Sequence, residues 1–171
     1  MVERHRPGHT TPQAAVALDE KGQALERLLP DVLARFNPEL GAAVDLVTAT
    51  VNPSDVAEAC LTLRDSPECR FDYLTCLCVV DYEEHLQVVY HLYSTTHKHM
   101  MVLKANVSPE QAVVPTVTSV WVGADWFERE SHDLFGVTFD GHPNLAPLLL
   151  YEGFEGYPGR RNFEMPEYAE W

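Results

Sequence analysis

The chain has 171 residues, 46% of them hydrophobic, with 12 basic against 26 acidic side chains and a net charge of −14. That length and apolar content exclude a chain disordered throughout and suit one domain with its own core, while the acidic balance argues against nucleic acid or an anionic lipid surface as the main partner. No apolar run approaches the roughly 20 residues that span a bilayer, and the first residues, MVERHRPGHTTPQ, lack the apolar stretch of a secretory leader, so the expectation is a cytosolic protein with no direct membrane span.

Residues 1–17 read as a polar, mobile arm. From Leu18 apolar residues recur at helical spacing (Leu25, Leu28, Leu29, Val32, Leu33, Phe36), and Pro30 either kinks this helix or starts a second one. AVDLVTATV (43–51) reads as a strand. NPSDVAEACLTLRD (52–65) reads as a helix with Ser54 as N-cap and Val56, Cys60 and Leu63 as its buried stripe.

FDYLTCLCVVDY (71–82) predicts a strand apolar enough to be central, with Leu74, Cys76, Cys78 and Val80 on one face. HLQVVYHLYS (85–94) and MMVLKANVS (100–108) predict two more strands, the three forming an antiparallel meander joined by short polar turns. The four cysteines, at 60, 69, 76 and 78, form no CxxC pair and read as reduced, buried core thiols rather than metal ligands.

DWFERESHDLFG (125–136) predicts a helix with a capping box between Asp125 and Glu128 and Gly136 at C′. Phe127, Ser131, Leu134 and Phe135 share its apolar face, leaving Arg129 with Asp133 and Glu128 with His132 as surface pairs one turn apart. VTFDGHPNL then reads as a short strand into a turn at Asp140-Gly141. Residues 18–150 thus make an α+β domain, a mixed or antiparallel sheet with helices packed on it. Residues 151–171 are an extended tail with six aromatics (Tyr151, Phe154, Tyr157, Phe163, Tyr168, Trp171), expected to lie along a surface, this chain's own or a partner's, with ordering by a partner subunit as the working hypothesis.

Glu128, His132, Asp133 and His142 are the one dense set of acid–base or metal-ligand types, and a free metal-dependent enzyme using Glu128, His132 and His142 is one reading. Against it, HExxH, GxSxG and the glycine-rich phosphate loops are all missing. The profile suits a subunit of a larger assembly better than a free enzyme.

FDYLTCLCVVDY, QVVYHLYS, the stretch from Val114 to Leu145 and EGFEGYPGRRNF together resemble the 30-kDa subunit family of respiratory complex I (NADH–quinone oxidoreductase). The family pattern E-R-E-x-x-D-[LM]-[FL]-G-[IV]-x-F-x-G-H-P-x-L is met by Glu128, Arg129, Glu130, Asp133, Leu134, Phe135, Gly136, Val137, Phe139, Gly141, His142, Pro143 and Leu145. The family's closing P-L-R-K-D-[YF] stands here as Pro158-Gly159-Arg160-Arg161-Asn162-Phe163, and its basic pair after H-P-x-L is replaced by Ala146-Pro147.

The resemblance implies a subunit that performs no catalysis and binds no cofactor or metal, with iron–sulfur clusters and quinone held by partner subunits. It implies a place in the hydrophilic arm at the cytoplasmic face of the inner or cell membrane. There it would dock on the large quinone-site subunit near the iron–sulfur subunits, through the signature residues and Pro158, Arg160 and Arg161. Related subunits of membrane-bound, complex I-like [NiFe] hydrogenases share the fold, and His132 and Pro147-Leu148-Leu149-Leu150 look somewhat like those; there the partner would carry the nickel–iron site.

Overall fold

The computed structural model describes residues 18–164. The predicted arm and the last two tail aromatics, Tyr168 and Trp171, lie outside the described residues.

Helix α1 spans Glu20–Val32, and the Asp19 carboxylate caps it by accepting from the Gly22 N–H at 2.7 Å. The helix runs through Pro30, which costs one intrahelical bond near its end, and a short 3₁₀ turn at Ala34–Phe36 follows. Leu25, Leu29 and Leu33 are fully buried, each contributing roughly 2 kcal/mol of apolar burial.

The single strand expected over 43–51 is a hairpin. Strand β1 (Glu39–Ala43) pairs antiparallel with β2 (Leu46–Val51), and Val44-Asp45 makes the two-residue connection with Val44 at φ 60°. A β-branched residue in the left-handed region is an unusual tip, so the sequence carried no turn signal there. Ser54 is not an N-cap: a 3₁₀ turn at Pro53–Asp55 leads into α2 (Val56–Asp65), which has no side-chain cap. Val56, Cys60 and Leu63 are buried as predicted, with Ala59 completing the stripe.

Strands β3 (Tyr73–Asp81), β4 (Leu86–Tyr93) and β5 (Met100–Val107) form the expected antiparallel meander. The sheet order is β1-β2-β5-β4-β3, with β2 and β5 parallel, so β3 is an edge strand and β5 the centre. A bulge between Leu74 and Cys76 also shifts the face pattern. Leu74, Leu77 and Val79 face the core, whereas Cys76, Cys78 and Val80 turn to the other face, where both thiols are half-buried rather than core. Cys60 and Cys69 are buried as expected, and all four thiols are free.

One core joins α1, α2 and the inner sheet face (Val47, Leu103, Tyr90, Leu77) to Val114, Val117, Trp121 and Phe139 from the following segment. That segment contains β6 (Val113–Pro115) and β7 (Thr138–Asp140), which pair in parallel and bracket the helix carrying the signature. No helix among the described residues is long and apolar enough to cross a membrane.

Candidate functional site

Helix α3 spans Ala124–Phe135 and is entered through Trp121, whose indole Nε1 donates to the Phe71 carbonyl at 3.1 Å. The expected capping box does not form. The helix begins at Ala124 with Gly123 in the cap position and no side-chain cap, which places Glu128 in the second turn. Asp125 lies in the first turn, where the helix dipole favours a carboxylate.

Glu128 is not on the surface, as its pairing with His132 would require. It is 0% exposed and points inward beside Ala124 and Ser131, both buried. Its Oε2 accepts from the Thr116 hydroxyl at 2.5 Å and its Oε1 from the Val117 N–H at 2.7 Å. These bonds tie α3 to the chain leaving β6. Burial pushes the Glu128 carboxyl up to about 7; the Thr116 and Val117 bonds oppose that push and Asp125 adds to it. Burial, then Glu128, likewise raises the Cys60 thiol above its ordinary value.

His142 closes the same corner. Gly141 adopts φ 79°, and the His142 N–H donates to the Phe139 carbonyl at 3.1 Å. His142 Nδ1 accepts from the Asn144 N–H at 3.0 Å, so in the neutral ring the proton sits on Nε2. Nε2 is buried, 3.2 Å from Asp125 Oδ1 but off the line a hydrogen bond needs, and 3.8 Å from Glu128 Oε2, too far for one. Pro143 is exposed beyond this turn, and Phe139 is buried beneath it.

Arg129 and Asp133 do not pair with each other. Arg129 Nε and Nη2 donate to the carbonyls of Ala146 and Pro147, both at 2.9 Å. Asp133 Oδ2 accepts from the N–H groups of Leu148 and Leu149 at 2.7 Å and of Leu150 at 3.2 Å. Burial alone would raise the Asp133 carboxyl, but the Leu149, Leu148 and Leu150 N–H groups, with His132 nearby, outweigh it and hold it below its ordinary value. His132 Nδ1 lies 2.9 Å from the Val137 carbonyl. Glu128 and His142 are therefore brought together and His132 is not; among the described residues no group of three His, Cys, Asp or Glu could hold a metal ion. Glu130 is exposed.

The C-terminal end of α3 meets the tail, a contact the sequence does not predict. Gly136 ends the helix at φ 69°, its N–H donating to the His132 carbonyl at 2.9 Å, as predicted for C′. A β-carbon at Gly136 would stand 2.5 Å from the Tyr157 ring. The Gly159 N–H donates to the Leu134 carbonyl at 2.8 Å, and Arg160 Nε donates to the Phe135 carbonyl at 2.7 Å while stacking on Tyr157 at 4.8 Å. The half-buried Pro158 precedes these contacts. The Arg161 N–H donates to Asp81 at 2.9 Å and its guanidinium pairs with Glu83 at 3.1 Å on the surface. Residues 157–161 thus rest on this domain's own helix end and strand turn, the first of the two surfaces the sequence left open and not the partner surface hypothesised for the tail. The missed signal lies in Gly136, Gly156 and Gly159, each closely approached by an aromatic ring.

The family model described as "Respiratory-chain NADH dehydrogenase, 30 Kd subunit" matches residues 49–169. An NADH-quinone oxidoreductase subunit from Caulobacter vibrioides is 42% identical over 153 residues, covering 86% of this chain and 77% of that one. Another, from Rhizobium meliloti, is 41% identical over 134 residues, 77% of this chain and 73% of that one. Among solved structures, the trypsin-resistant fragment (1–134) of Nqo5 superposes with a TM-score of 0.57 at 26% identity, covering 70% of this chain and 98% of that one. A chain of the membrane-bound sulfane sulfur reductase, an archaeal respiratory membrane complex, shares the fold with a TM-score of 0.69 at 22% identity, covering 83% and 86%.

Proposed function

Because the chain belongs to the 30 Kd subunit family of the respiratory-chain NADH dehydrogenase, we propose that it is a structural and assembly subunit of a complex I-type NADH–quinone oxidoreductase. In this reading it carries out no redox step. Iron–sulfur clusters and quinone belong to partner subunits, and this chain sits peripherally in the hydrophilic arm at the cytoplasmic face of the membrane. There it docks on the large quinone-site subunit, supporting electron transfer to quinone by holding that arm together.

The observation that carries the reading is where the signature charges go. Arg129, Asp133 and Arg160 are spent on backbone groups of this chain, and Glu128 is walled in by Thr116 and Val117. Such groups fix the shape of a surface and do not face a substrate. Around them, Trp126, Val122, Leu149 and Tyr151 stand exposed, apolar side chains of the kind that anchor a partner. Of the remaining signature residues, Glu130, Leu134, Phe135, Pro143, Pro158 and Arg161 are assigned to the same docking surface, and Gly136, Phe139, Gly141 and His142 to the local fold that carries it.

The test is a tagged chain purified from membranes. The expected result is co-purification with NADH–quinone oxidoreductase subunits, while the isolated chain oxidises no NADH. Capture of a nickel-bearing large subunit instead, or NADH oxidation by the chain alone, would overturn the reading.

A further inference from the structure

The two edges of the five-stranded sheet are built differently. The β3 edge carries a bulge at Leu74/Cys76 and has α3 packed beside it, and the Asp81 carboxylate at its end accepts from the Arg161 N–H. Bulges and covering elements are how proteins keep an edge from pairing with another chain. The β1 edge has none of these among the described residues. Among the described residues β1 is paired on one side alone, in unbroken register from Glu39↔Thr50 to Ala43↔Leu46. In an antiparallel ladder alternate residues turn their N–H and C=O away from the partner, so the outer side of β1 offers a row of such groups. Its sequence, Glu-Leu-Gly-Ala-Ala, has neither the Lys nor the internal Pro that would blunt it.

We infer that the outer edge of β1 takes up an extended segment of a partner subunit, which adds a sixth strand to this sheet. This rests on the subunit reading above and names one surface of it. Backbone groups in a row recognise an extended chain and no other shape. The side chains narrow the occupant further. Gly41, Ala42 and Ala43 leave room for close approach, and Leu40 is 37% exposed although it lies opposite the fully buried Ala49. An apolar residue on the incoming strand would cover it. Glu39 at one end and Asp45 just past the other favour a segment with basic flanks. The occupant is therefore a proline-free, extended segment, apolar at alternate positions and basic at its ends.

Hydrogen exchange of the peptide spanning 38–45 is compared in the isolated full chain and in the membrane complex it co-purifies with. Exchange at the outward amides should be fast in isolation and slowed at least roughly tenfold in the complex. Leu40→Lys and Ala42→Lys change exposed side chains, so the isolated protein should unfold within about 2 °C of wild type. Each should cut co-purification at least roughly tenfold, about 1.4 kcal/mol.

Equal protection in both states would mean that this chain covers its own edge, and a concentration-dependent dimer of the isolated chain would mean that a second copy does. Either result overturns the proposal, as does wild-type co-purification by both variants while the wild-type chain captures the complex. A wild-type chain that captures no oxidoreductase subunit overturns the subunit reading first, and this inference with it.

Discussion

The ring of Tyr157 lies against Gly136 so closely that a β-carbon there would fall within 2.7 Å of three of its atoms. Gly136→Ala should therefore cost more than the roughly 1 kcal/mol of a left-handed alanine; about 2–4 kcal/mol is expected in urea unfolding. The same substitution in a Tyr157→Ala background should fall back to about 1 kcal/mol, because there the conformational strain alone remains. An equal cost in both backgrounds would show that Tyr157 is not seated on the helix end.

Asp133 accepts three backbone N–H groups on one carboxylate oxygen. Asp133→Ala should cost roughly 3 kcal/mol by leaving part-buried donors unpaired. Its carboxyl is held below the ordinary value, so its contribution is full at neutral pH and fades as pH falls below about 4. Wild type should lose stability relative to Asp133→Asn over that acidic window, measured by thermal unfolding from pH 6 to pH 3.

Glu128 has the opposite sign. Its carboxyl is raised from an ordinary 4.5 to about 7. Between those values the folded state holds a proton that the unfolded chain has released, so stability falls as pH rises through the window and levels off above 7. At about 1.4 kcal/mol per unit the penalty at pH 8 is at most on the order of 3 kcal/mol. Gln at this position mimics the neutral acid, accepting from Val117 and donating to Thr116. Glu128→Gln should flatten the stability profile from pH 5 to pH 8 and be no less stable than wild type at pH 8.

Truncation after Leu150 removes Tyr157, Gly159 and Arg160 from the end of α3 and Arg161 from Asp81. The isolated domain should lose several degrees of unfolding temperature, about 1–3 kcal/mol. Arg160→Ala alone should account for roughly 1–2 kcal/mol of that. An unchanged melting curve would return the tail to the role its sequence suggests, that of a segment ordered by its partner.

The meander, the stripe of α2, the extent of α3 and the glycine that ends it were all legible, since alternation, i/i+4/i+7 spacing and a C′ glycine are local signals. Glu128 was not, because a charged residue in an amphipathic helix reads as surface. It sits four residues after the buried Ala124 and three before the buried Ser131, so the helix phase alone contradicted that reading. Strand β1 was hidden by Gly41 and three alanine or leucine neighbours without β-branching, and by a valine at the hairpin tip. The edge position of β3 was hidden because its two faces are both apolar, usually the mark of a central strand; here one face presents half-buried thiols instead. For residues 157–161 the local pattern had no period to show, since their contacts are made by backbone and glycine.

The grip of Arg129 and Asp133 on residues 146–150 is blind to side chains. Arginine holds carbonyls, which every residue has, and aspartate holds N–H groups, which every residue but proline has. Positions 146 and 147 can therefore drift freely, proline included, and Pro147 already stands at one of them. Positions 148–150 can drift through every residue except proline. This anchor lets the segment change what it shows the outside while its path stays fixed, so the surface can be retuned to a different neighbour without refolding the domain that bears it.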